Sequence, residues 1–225
     1  MIETALYAVI IYVVGVWVLV HLSETLRRAG AATPTHGPQT ARRLIAGLWA
    51  WAVVANVYAF LIGSSFLWLA PSLALPLLVV IALLFRPSVS ELLRNVELDR
   101  LVGVQVYRIA GALFLISFFV FGGEMSREFA VKAGWGDVIT GVLALPVAWI
   151  AWKRMPFWPA AVIAWCLFGI GDLVLAPVTA RLHGGPPVDG VPLNTIPVFF
   201  GPPLILCAAA TTRRGARSDA AKCRA

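Results

Sequence analysis

Seven runs of mostly apolar residues follow one another along the chain, at about 4–22, 43–63, 66–85, 101–122, 134–152, 157–179 and 193–211. None alternates apolar with polar at period two, and each approaches the roughly 20 residues a helix needs to cross a bilayer. The pattern predicts an all-α, polytopic integral membrane protein with seven transmembrane helices. Only GSS at 63–65 parts the second run from the third, which predicts a tight hairpin. The stretch SVSELLRNVELDR, residues 88–100, is too polar to span. It reads as a short amphipathic interfacial helix, with Leu92, Leu93 and Val96 turned toward lipid. Residues 1–211 are expected to form one transmembrane domain, and 212–225 a basic, disordered cytoplasmic tail.

Composition strengthens this picture. Of the 225 residues, 60% are hydrophobic and 13% charged, and mean hydropathy is +0.86. A soluble domain carries about 45–50% apolar and about 25% charged residues, so the surplus here must face lipid. The net charge of +7 comes from arginines spread between the apolar runs, which fits orientation in a membrane and not nucleic-acid binding. With the N-terminus outside and the C-terminus inside, fourteen Lys and Arg fall inside, three (Arg127, Lys132, Arg181) fall outside, and Arg108 lies within a span. That asymmetry predicts N-out/C-in, with a bacterial inner membrane as the location. Trp149, Trp152 and Trp158 gather at the inner turn, and Trp68 and Trp135 near the opposite boundary, as in an aromatic belt. The opening MIET has no positive n-region, so residues 4–22 are read as a retained helix.

Two acids interrupt the apolar runs. GWGD ends at Asp137 and GIGD at Asp172, on the fifth and sixth runs, which are joined by WKRMPFW. Each acid is seventeen residues from that turn, roughly 25 Å along a helix, and so both stand at one height in the outer third of a core about 30 Å thick. Asp137 shares a helix face with Gly141, and Asp172 with Gly169, so a glycine seam between these spans would set the carboxylates across from one another. Two such acids in a low dielectric share a proton or hold a cation. The alternatives are an interfacial helix-start role for Asp137 and a structural hydrogen bond for Asp172.

Helical counting brings Asn56, Ser117 and Thr140 into the same layer, with Tyr12 nearby. Together they outline a polar pocket open to the outside, below Glu124, Arg127, Glu128 and Lys132. Arg108, in VQVYRIAGALFL, stands roughly 10 Å above Leu101, and is expected to snorkel toward phosphates. Its functional reading pairs it with an acid or an anionic substrate beside Gln105 and Tyr107. On this alignment Asp172 is out of its reach by about a dozen ångströms. Prolines interrupt several spans, and the seventh must bend at GPP, residues 201–203.

Several chemistries are excluded. The last span has no lysine for a retinal Schiff base, and His21 is the lone histidine near a span, against bis-histidine haem. No metal or cofactor is expected, and Walker, GxSxG, CxxC and HExxH patterns are missing. Three cysteines make no disulfide framework.

QVYRIAGALFL followed by FAVKAGWGDVITGVLALPVA resembles a widespread group of small bacterial polytopic membrane proteins without an assigned activity. The likeness covers about residues 102–175 and rests on Q-x-x-R and A-G-x-G-D. It points at Gln105, Arg108, Gly134, Gly136 and Asp137, and implies location and fold type, not chemistry.

The expected function is a small transporter or ion-coupled permease, its outer pocket built from Asp137, Asp172, Asn56, Thr140, Ser117, Arg108 and Gln105. Its partners would be the bilayer and a small ion or solute. The alternative is a non-catalytic accessory or assembly subunit packed on a larger membrane protein complex. A lipid-processing enzyme using Asp137 and Asp172 as acid and base ranks last, for want of a nucleophile.

Overall fold

The computed structural model describes residues 2–62, 78–79, 81–123 and 125–184. Among them every element is helical: α1 (Ile2–Ala31), α2 (Gly37–Ile62), α3 (Pro87–Arg94), α4 (Leu98–Gly103), a 3-10 helix (Val104–Gly111), α5 (Ala112–Phe119), α6 (Arg127–Trp152) and α7 (Trp158–His183). Among the described residues four helices are long and apolar enough to cross a membrane, over Val9–Ala31, Leu98–Phe119, Arg127–Trp152 and Trp158–His183. The second expected run is helical within α2. The seventh run, the tail, Glu124 and most of the third run lie outside the described residues.

The surface supports a lipid environment. Val9, Val13, Val16 and Val20 line the exposed side of α1, and Ile139, Val142, Leu143 and Leu145 that of α6. Polar Thr25, Gln105, Arg108, Thr140 and Thr179 are instead buried. A soluble monomer rarely exposes apolar patches of this extent. Trp135, Trp149 and Trp152 are likewise exposed, as belt residues would be.

Local chemistry sets the helix ends. Ser126 caps α6, its Oγ accepting from the Phe129 amide at 3.1 Å, with Glu128 in the first turn to suit the dipole. The α6–α7 turn passes through Arg154 in a left-handed conformation, φ 50°, and Pro159 lies in the first turn of α7. Pro87 opens α3 in the same way.

The expectation of one helix over 88–100 with Leu92, Leu93 and Val96 turned to lipid needs correction. The stretch is two short helices broken around Asn95–Glu97, and its apolar side faces protein. Leu92, Leu93 and Val96 are fully buried, packed with Val18, Leu22 and Leu26 of α1, Leu101 of α4 and Val162 of α7. The pattern of an amphipathic helix is the same whether its apolar stripe meets lipid or a neighbouring helix. Polar contacts hold this elbow in place, with Asn95 Nδ2 donating to Thr33 Oγ1 at 2.9 Å and Thr35 Oγ1 to Glu91 at 3.2 Å.

A smaller cluster closes the other end of the bundle, where Phe114 meets Phe129 edge-on at 5.3 Å beside Met125, Ala130 and Ala133. Between the two clusters runs the 3-10 helix. It buries Val104, Gln105, Tyr107, Arg108 and Gly111. With three residues per turn, Gln105, Arg108 and Gly111 stand one above another on a single line.

Candidate functional site: a buried arginine between two aspartates

Arg108 leaves the 3-10 helix and enters the seam between α6 and α7. Its Nε donates to Asp137 Oδ1 at 2.7 Å, its Nη2 to Asp172 Oδ2, and its Nη1 to the Gly169 carbonyl at 3.2 Å. The arginine side chain is 1% exposed, against 13% for Asp137 and 7% for Asp172. Three ionisable side chains, from three helices long and apolar enough to cross a membrane, thus meet inside the bundle.

The expectation that Arg108 snorkels to phosphates is corrected, as is the expectation that Asp172 is out of reach. The physical reason is the lower start of the helix, about 4.5 Å below Leu101, with about 2.5 Å more from its steeper axial rise. The helix starts at Leu98, and from Gly103 onward it climbs about 2.0 Å per residue in place of about 1.5 Å. Arg108 therefore stands roughly 17 Å above the start of its helix, and its side chain covers the remaining height to the acids. The cation envisaged between the carboxylates is a residue of the chain itself.

Glycines make the approach close enough. A Cβ at Gly111 would overlap the Cβ of Asp137, and one at Gly136 would overlap the Asp172 carboxylate. A Cβ at Gly141 would come within 2.6 Å of the Ile109 nitrogen, and one at Gly134 within 2.7 Å of Leu115. The expected glycine seam is thus divided. Gly136 clears α7, whereas Gly134 and Gly141 admit the 3-10 helix and α5. Each aspartate rests on a glycine of a neighbouring helix, so neither carboxylate can turn away without losing its packing.

The remaining candidates do not converge on this point. Thr140 is buried and donates to the Gly136 carbonyl of its own helix at 2.7 Å, while its main-chain oxygen accepts from Trp165 Nε1 at 3.0 Å. That pair ties α6 to α7 one turn from Asp137. Asn56 donates to Ala52 O at 2.7 Å within α2, Ser117 is buried beside Gly123, and Tyr12 is exposed. Gln105 is wholly buried, and neither polar atom of its side chain has a hydrogen-bond partner among the described residues.

Beside the triad lies a cavity of about 20 Å³, lined by Ile11 and Val14 of α1, Tyr107, Arg108 and Ala110, with Asp137 and Leu173. That volume holds about one water molecule. It does not hold a solute. One guanidinium and two carboxylates leave a surplus negative charge in a low-dielectric interior, which a single proton would cancel. Among the described residues no three His, Cys, Asp or Glu side chains converge on a metal-sized space.

Sequence reasoning found all three charged residues and the level placement of the acids. It missed Gly111 and Gly136 as the floor of the site, and the arginine as its centre. The signal for the latter was the i,i+3 spacing of Gln105, Arg108 and Gly111.

Residues 65–214 match the family described as a domain of unknown function (DUF8737), a range that includes all of the triad. No curated protein and no solved structure matches the chain.

Proposed function

We propose, for a chain that belongs to the DUF8737 family, that it is a proton-coupled transport protein of a bacterial inner membrane and that the triad is its proton-binding site. The observation carrying this reading is the surplus negative charge of Arg108, Asp137 and Asp172 beside a cavity the size of one water. Intramembrane acids are costly and mark proton relays in pumps and transporters. A fully ionised cluster of two acids and one base favours uptake of a proton, and gaining it weakens one arm of the Arg108 clasp. Because the clasp joins three spanning helices, proton occupancy and helix packing are linked. The seven-span, N-out/C-in arrangement belongs to this proposal, with the end carrying Arg27, Arg28, Arg100 and Arg154 in the cytoplasm.

The test is reconstitution into liposomes loaded with a pH-sensitive dye. An imposed gradient is expected to drive proton movement through the wild-type protein and not through Asp172→Asn. If Asp172→Asn is folded and moves protons at the wild-type rate, or if the wild type moves none, the reading is wrong.

The accessory-subunit reading draws on one observation, the tight fit around the triad, which leaves no solute-sized space there. It predicts a stoichiometric partner after extraction in mild detergent, with no proton movement by the isolated chain.

A further inference from the structure

A buried amide with two unmatched polar atoms stands directly below the triad. Gln105 is 0% exposed, and both its Nε2 and its Oε1 are without hydrogen-bond partners among the described residues. An unsatisfied buried amide costs about 1–3 kcal/mol, so native interiors supply a partner, and water does so where protein does not. Gln105 is one 3-10 turn, roughly 6 Å, from Arg108 on the same side of its helix, toward the basic end of the bundle.

Another unmatched atom lies farther toward that end. His21 of α1 is half-buried, its ring meets the Arg100 main chain, and its Nε2 has no partner among the described residues. Arg100 precedes Gln105 by five residues on the same span, roughly 9 Å of rise. His21, Gln105 and the triad therefore form a rising series alongside one span. The cavity at its top is walled by α1 through Ile11 and Val14.

We infer that His21, Gln105 and the cavity beside Tyr107 form a water-lined access path by which a proton enters the triad from the basic end of the bundle. This rests on the proton-binding reading above and adds to it a route and a side of entry. A proton arriving from the basic end binds the buried imidazole Nε2 and passes from it to an adjoining water. The Gln105 carbonyl accepts from, and its amide donates to, the waters that carry the proton upward by successive O–H bond exchange. The last water, in the cavity, gives the proton to the Asp137 oxygen that Arg108 does not hold. A carboxylate becomes a carboxylic acid, no electron changes hands, and the triad passes from one net negative charge to none. The charged or titratable groups facing His21 are Arg100 and Arg28. Each acid faces the other and Arg108, Asp137 also faces Tyr107, and the α1 wall of the cavity is apolar.

The path is tested with Gln105→Leu and Gln105→Met in the dye-loaded liposomes, beside Asp172→Asn. Both Gln105 variants are expected to slow proton entry about a hundredfold, the lower end of what loss of a proton-transfer group costs. The infrared carbonyl band of a protonated Asp137 should still appear at equilibrium. His21→Phe should slow entry likewise, with added imidazole restoring the rate. If both Gln105 variants fold and admit protons at the wild-type rate while Asp172→Asn does not, the path is wrong and the triad stands as the proton site. If Asp172→Asn also leaves the rate unchanged, the proton-binding reading fails and the path fails with it. A variant that unfolds is replaced by difference infrared spectroscopy of the wild type in heavy water. A band from weakly bonded internal water that shifts with the carboxyl band supports the path, and its absence overturns it.

Discussion

Arg108 and Asp172 are 64 residues apart in sequence and joined in space, the guanidinium of one helix donating to the carboxylate of another inside the helix bundle. With Asp137 as the third member, this contact ties Leu98–Phe119 to both α6 and α7. Removing the cation alone leaves two acids buried without a counter-charge. Arg108→Met should therefore lower stability by about 3–5 kcal/mol, the usual cost of breaking a buried ion pair from one side. The triple variant Arg108→Met, Asp137→Asn, Asp172→Asn should recover most of that loss. Thermal unfolding in detergent reads both, and equal damage in single and triple variants would contradict the charge argument.

The two glycines under the acids give a sharper contrast. Gly111→Ala and Gly136→Ala place a methyl where Asp137 and Asp172 lie, so both should destabilise the bundle and loosen the arginine clasp. Gly171→Ala has open space around its Cβ and should be neutral or gain up to about 1 kcal/mol in helix propensity. Melting temperatures of the three variants test this ordering.

Burial of the α3 elbow makes another distinction. Leu92→Ala or Leu93→Ala should cost about 2–5 kcal/mol, as expected in a packed core. Leu143→Ala and Leu145→Ala, on the exposed side of α6, should cost far less. Equal, small effects at all four positions would restore the lipid-facing reading of residues 88–100.

Ser126→Ala should cost about 1 kcal/mol through loss of the α6 cap. Because the capped turn carries Phe129 into the outer cluster, faster amide exchange at the start of α6 is the measurement that checks it.

Much of this fold could be read before any coordinates. Spans are written in run length, because lipid imposes a minimum stretch of apolar residues, and the two acids were conspicuous because hydrocarbon makes charge costly. Their equal height followed from counting away from a shared turn. The height of Arg108 is less legible: the polar 88–100 stretch hides that the helix starts at Leu98, about 4.5 Å below Leu101, and the 3-10 turns of Val104–Gly111 add about 2.5 Å more. Leu92, Leu93 and Val96 were turned to the wrong surroundings because both settings demand the same apolar stripe. Spacing sets Gln105 beside Arg108, but its unmatched amide is a property of packing that spacing alone does not reveal.

The eight residues of the 3-10 helix also change the phase of the span that contains them. Each turns the chain about 20° farther than an α-helical residue would, which accumulates to roughly 160° by Ala112. The outer half of the span is thereby presented almost back to front relative to an unbroken helix. Both halves nevertheless pack on α6, Gly103 against Ala148 and Leu115 against Gly134, so the change of phase brings what would be opposite faces of one helix onto the same neighbour without a proline anywhere in 98–119.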